Sequence, residues 1–186
     1  MIRSLIKRFV NDIGEYNNFD QDKKEEIEYS LLITTFEIIK MIILIILFSR
    51  LGFFKEITLI IIVMTFTKPF IGGYHEDTQV KCLISTIIIA SVIIYLSINN
   101  NLDLTSLILI NVLNVFSIYN KAPIISDRMP ITKIDLINRN RMLGILNSSI
   151  FSIIALFLHG IGIYSSIITW TLLIEVCLMF NKRSFK

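Results

Sequence analysis

The sequence predicts an all-α integral membrane protein: about six transmembrane or partly re-entrant helices, preceded by an amphipathic interfacial helix. Three observations carry this. The chain is 54% hydrophobic and 18% charged with a mean hydropathy of +0.70, whereas a soluble domain is about a quarter charged. Its apolar residues gather into six runs, at 30–48, 57–66, 83–98, 104–118, 142–158 and 161–180. The Lys and Arg residues fall almost entirely on alternate connections between those runs.

The first element is the interfacial helix, residues 1–14. Ile2, Leu5, Ile6, Phe9, Val10 and Ile13 recur at three-four spacing and share one helical face, with Arg3, Lys7 and Arg8 elsewhere. A secretory signal would need an unbroken apolar run and a small-residue cleavage site. Here charges interrupt the run and an acidic stretch, 12–28, follows, so the segment is expected to stay on the mature protein. A spanning helix needs about 20 residues at about 1.5 Å each. The first, fifth and sixth runs meet that length. The second is short even if extended through Ile71, and it ends in Lys68-Pro69 and then Gly72-Gly73. Irregular backbone at membrane depth must be covered by protein or line a wet cavity, so this segment is expected to be half-buried or re-entrant beside such a cavity. No internal repeat or linker divides the chain, and its length suits one domain, 1–186, with a transmembrane region at 30–180.

Basic residues set the expected orientation. With six spans and a cytoplasmic amino terminus, fifteen Lys and Arg lie in inside segments and two, Arg50 and Lys55, outside. The chain has 40 Ile and three Ala, a bias that points to the AT-rich genome of a low-GC bacterium. The expected location is a bacterial cell membrane, multi-pass, with the connection after the second run on the cytoplasmic side.

That connection holds the most polar stretch between apolar runs, Gly72-Gly73-Tyr74-His75-Glu76-Asp77-Thr78-Gln79-Val80-Lys81-Cys82. A thiol with a nearby imidazole base is the minimal set for acyl transfer. On an unbroken helix, His75 and Cys82 would lie about 10 Å apart along the axis, too far for a direct hydrogen bond. The backbone must therefore bend between them. Gly72-Gly73 permits the bend, and a helix starting near Asp77 or Thr78 leaves His75 in a loop folded toward Cys82. Cys82 then sits early in that helix, where the dipole and Lys81 favour negative charge. Glu76 or Asp77 could orient His75, and a solvated loop acid or helix cap is the plainer reading of either.

The remaining polar groups have plainer readings still. Cys177 lies inside an apolar run, where cysteine behaves as a small hydrophobe, and His159 sits in a short loop expected outside. Glu37 and Lys40, three apart, can pair on one face, and Glu175 lies at depth in the last run. Asn111 and Asn114 can join helices by hydrogen bonds. The basic residues Lys121, Arg128, Lys133, Arg139 and Arg141 can fix topology or touch anionic lipid. Two His and two Cys, widely scattered, give no metal-ligand spacing, and nucleotide-binding glycine patterns are absent. No cofactor is expected. A small transporter, or a structural or lipid-binding subunit, would account for the spans without using Cys82.

Lys68-Pro69-Phe70-Ile71-Gly72-Gly73-Tyr74-His75, followed by Cys82 and Ser85, resembles the active-site signature of the AgrB (accessory gene regulator B) family, membrane cysteine endopeptidases of bacterial quorum sensing. Ala122-Pro123, with Pro130 seven residues on, resembles that family's loop after the fourth segment, and hydropathy fits over essentially the whole chain. The resemblance implies that Cys82 is the nucleophile and His75 its base, acting on a small AgrD-like propeptide to yield a cyclic autoinducing peptide, with Lys68, Gly72, Gly73, Glu76, Asp77 and Ser85 in support. Lys68 stands where the family usually has Arg, keeping the charge but losing the bidentate fork; Glu76 stands where a small residue is common. On this reading Lys121, Arg128 and Lys133 hold the acidic tail of the propeptide, and Leu5 and Phe9 pack against its amphipathic helix. The implied partners are that propeptide and the lipid bilayer, with a homodimer left open and no nucleic acid.

Overall fold

The structure is a computed structural model that describes residues 2–17, 19–73, 78–100, 102–124 and 134–180. The described residues form seven α-helices and no strand. Contacts divide the chain into two units, Met1–Leu47 and Phe48–Lys186.

The first unit holds α1 (Ile2–Tyr16) and most of α2 (Gln21–Arg50). Val10 is buried on α1, while Leu5 and Phe9 are exposed, so part of the apolar face remains open. The turn after α1 is closed by Phe19 N–H donating to the Gly14 carbonyl at 2.9 Å. Asp20 then caps α2, its carboxylate accepting from the Lys23 N–H at 3.1 Å. The Lys23 ammonium lies 4.5 Å from the Phe19 ring centre, a cation–π contact that braces the same turn. Within α2, Lys40 and Glu37 form an ion pair at 2.5 Å, which offsets the cost of two charges in an apolar run.

The second unit holds α3 (Phe54–Ile71), α4 (Gln79–Asn99), α5 (Leu104–Lys121), α6 (Ile134–Phe157) and α7 (Tyr164–Phe180). Helix α7 packs against each of the other four. Its sequence fits that place: apolar around most of its circumference, with Ser165, Ser166, Thr169 and Thr171 buried among Ile167, Ile168 and Leu172. These small hydroxyl residues let neighbours approach closely. They need no outside partner where they bond their own helix: Thr169 donates to the Ser165 carbonyl at 2.9 Å and Thr171 to the Ile167 carbonyl at 2.7 Å.

Helix α6 presents a second small-residue face, Gly144, Ser148, Ser152 and Ala155. A Cβ on Gly144 would stand 3.0 Å from the Ile71 side chain, so glycine lets the end of α3 lie against α6. Helix α5 turns Leu107, Asn111, Asn114 and Ile118 inward. The Asn111 amide donates to Thr169 Oγ1 at 2.8 Å and the Asn114 amide to the Thr169 carbonyl at 3.4 Å. The two asparagines thus join α5 to α7. One apolar cluster, Val63, Ala155, Ile168 and Leu172, fills the middle of the unit. Another, Ile71, Ile118, Ala122, Val176 and Met179, fills the end where α3, α5 and α7 finish.

Four helices, α2, α4, α5 and α6, are long and apolar enough to cross a membrane. Helix α3 has 18 residues but carries Lys55, Glu56 and Lys68, and α7 has 17. The all-helical membrane architecture expected from the sequence is therefore present, and of the about six transmembrane or partly re-entrant helices expected, four are long and apolar enough to span.

Candidate functional site

The last turn of α3 is held from three directions. Pro69 lies inside the helix, and with no N–H it leaves the Thr65 carbonyl without its helical donor and loosens the turn. From α6, the Asn147 amide donates to the neighbouring Phe66 carbonyl at 2.5 Å. From α7, the buried Glu175 carboxyl is hydrogen-bonded to the Thr67 hydroxyl at 2.5 Å. From the segment after α5, the Ile124 N–H donates to the Ile71 carbonyl at 2.9 Å, forming an isolated parallel bridge between Gly72 and Ile124.

That bridge requires glycine at 72. Gly72 has φ 72° and ψ −152°, a conformation that L side chains avoid, and a Cβ there would run into the Ile124 carbonyl oxygen. Gly73, at φ 124°, backs onto the Leu178 carbonyl of α7. The Ala122–Pro123 peptide is cis, and Ala122 packs into the apolar cluster beneath the bridge. The Gly72-Gly73 corner and the Ala122-Pro123-Ile124 segment, some fifty residues apart in sequence, thus meet at one end of the unit.

Across the corner, α4 begins at Gln79. Thr78 is its N-cap, the side chain accepting from the Lys81 N–H at 3.3 Å. Cys82 lies in the first turn, its N–H donating to the Thr78 carbonyl at 2.9 Å and its carbonyl accepting from Thr86 Oγ1 at 2.7 Å. Four residues before Thr86 and eight before Ala90, Cys82 shares the face on which Thr86, Ala90, Ile93 and Ser97 are buried. Helix α4 packs chiefly on α7, and Cys82 is half-buried on this face. Ser85, one turn on, is also half-buried. Neither Cys82 nor Cys177 forms a disulfide, and Cys177 is exposed.

Of the residues singled out from the sequence, Lys68, Gly72, Gly73, Cys82 and Ser85 are brought to this end of the unit. Lys121 is exposed at the last position of α5. His75, Glu76, Asp77, Arg128 and Lys133 lie outside the described residues. Arg141 has a local task, donating to the Tyr119 carbonyl at 3.0 Å with its guanidinium 5.3 Å from the Tyr119 ring centre, which ties the end of α5 to α6. Thr67, Asn147 and the Ile71–Ile124 hydrogen bond gave no signal in the sequence, because each acts through a partner more than fifty residues away.

The sequence profile of the family described as AgrB, accessory gene regulator B, matches residues 6–179, a stretch that runs from α1 through α7. The AgrB-like protein 1 of Clostridium perfringens (strain 13 / Type A) is 45% identical over 181 residues, covering 97% of each chain. No solved structure matches. With the match extending over both units and including the glycine corner and the start of α4, the chain belongs to the accessory gene regulator B family.

Proposed function

We propose that this protein is a membrane cysteine endopeptidase that removes the carboxy-terminal tail of a small AgrD-like propeptide and supports its cyclisation. Family membership supports involvement in the agr quorum-sensing system and a role in processing its propeptide. The observation that carries the catalytic assignment is that Cys82 stands half-buried in the first turn of α4, four residues before Thr86 on the buried face of that helix.

In this reaction the Cys82 sulfur attacks the scissile carbonyl carbon. His75 takes the thiol proton and returns it to the departing amine as the C–N bond breaks. The propeptide then remains on Cys82 as a thioester. A thiol or hydroxyl side chain within it attacks the same carbonyl, passing its proton through His75 to the sulfur as the thioester opens and the ring closes. Exchange of one thioester for another is nearly balanced in energy, which is a reason for cysteine over serine. Water must be kept away, since hydrolysis gives a linear product, and a covered site at the membrane edge serves that end. Lys121, Arg128 and Lys133 supply positive charge for an acidic tail, and the site faces the cytoplasm.

Blocking the second step should trap the first. With a propeptide whose ring-closing side chain is replaced by alanine, and with Cys177→Ser as background, a hydroxylamine-sensitive adduct between protein and propeptide should accumulate on denaturing gels. The adduct should vanish in Cys82→Ala. An adduct that persists without Cys82 would remove the nucleophile from this assignment.

Helix α1 is the proposed docking element. The exposed Leu5 and Phe9 can bury against an amphipathic propeptide helix lying in the same leaflet, raising its local concentration. Full burial of such side chains contributes about 1.5–3 kcal/mol each, so Leu5→Asp with Phe9→Asp should raise KM about tenfold or more. The kcat at saturating propeptide should be kept. Equal loss at saturation would assign the helix to folding instead.

A further inference from the structure

Among the described residues, Glu175 is the one titratable side chain that is buried, at 2% exposure in the apolar α7. A carboxyl at such depth is costly and marks a functional site by default. Its Oε1 has no hydrogen-bond partner among the described residues, and the residue that meets its Oε2, Thr67, directly precedes the Lys68-Pro69 pair.

The hydrogen bonds around Thr67 decide what the carboxyl does. Thr67 Oγ1 lies 2.6 Å from the Val63 carbonyl oxygen and 2.5 Å from Glu175 Oε2. The Thr67 hydroxyl thus stands between the backbone of its own helix and the Glu175 carboxyl, to which it donates.

We propose that Glu175 is a positioning residue for the Cys82 site: as hydrogen-bond acceptor from Thr67, it ties the last turn of α3, with Lys68 and the Gly72-Gly73 corner, to α7. Helix α7 is the common partner of both parts: α4, which carries Cys82 on its buried face, packs chiefly on it, and Gly73 backs onto Leu178, three residues beyond Glu175. The clasp fixes where the corner stands relative to the thiol. This inference rests on the peptidase reading for its consequence in catalysis, and on geometry alone for its consequence at the thiol.

The test uses the full chain in lipid membranes with Cys177→Ser as background, so that a single thiol reports. Two rates are measured: alkylation of Cys82 by iodoacetamide without propeptide, and cleavage of the propeptide resolved into kcat and KM. A displacement of about 1 Å can cost about a hundredfold in rate, so Glu175→Leu and Thr67→Val should lower kcat about tenfold to a hundredfold. KM should stay within about twofold, and Cys82 alkylation should slow in parallel. Glu175→Gln should keep kcat and alkylation within about twofold of the parent, because its amide oxygen can still accept from Thr67. Thr67→Val, matched in volume, decides the matter if Glu175→Leu fails to insert. Parent-like kcat and alkylation in Thr67→Val, or a loss in Glu175→Gln as deep as in Glu175→Leu, would overturn the proposal. If no variant cleaves, including the parent, the peptidase reading is what has failed, and the alkylation rates still judge the clasp.

Discussion

Cys82→Ala is expected to abolish propeptide cleavage while the protein still inserts and accumulates. Removal of a covalent nucleophile leaves only what binding and electrostatics contribute, and losses of about a millionfold in kcat are on record for such changes. Cys82→Ser should fare little better, because a hydroxyl is a far weaker nucleophile at neutral pH than a thiol. Cys177→Ser should cleave like the parent, because its side chain is exposed on α7. Co-expression with the propeptide, read as a gel shift against an insertion control, separates the three. Normal cleavage by Cys82→Ala would return the chain to the transporter or structural class.

The second large effect is expected at a residue with no reactive group. Gly72→Ala puts a side chain where φ is 72° and ψ −152°, a region that costs about 1–3 kcal/mol for other residues. It also drives a Cβ into the Ile124 carbonyl. The corner can relieve this only by moving away from Ile124, breaking the Ile124 to Ile71 hydrogen bond. Cleavage should fall about a hundredfold, on the general cost of misplacing reacting groups, with a lowered thermal midpoint in detergent. Gly52→Ala is the control. That residue also has positive φ, 87°, but nothing stands within 4 Å of its added Cβ, so about 1 kcal/mol of strain should leave cleavage intact. Equal behaviour of the two variants would deny the Gly72–Ile124 contact a role.

Features that depend on neighbours along the chain were legible from the sequence. The three-four spacing of Leu5, Ile6, Phe9 and Val10 gives α1, and the Thr78 cap with the apolar run after it gives the start of α4 within a residue or two. Asn111 and Asn114 were readable as helix-joining groups because a polar amide in an apolar run must find a partner. Their shared partner Thr169 was not readable, since nothing local distinguishes it from Thr171. The same limit hid the setting of Glu175. A charge at depth announces itself, but the residue that answers it, Thr67, is 108 positions away and looks like any helical threonine. At the corner, two glycines marked a turn, and the chain segment that comes close enough to require one of them could be named only in three dimensions.

The central place of α7 bears on how the protein is assembled. This helix follows α3, α4, α5 and α6 in the chain and is the surface on which all four pack. During synthesis those four are made before their common partner exists. Until it arrives, the Asn111 and Asn114 amides lack Thr169 and the Thr67 hydroxyl lacks Glu175, and translation at about 5–20 residues per second leaves that interval at about one to three seconds for α7 itself. Docking of α7 therefore completes a bundle that α6 has begun by packing on α3 and α5, and it brings the asparagines and Thr67 their partners across the helices.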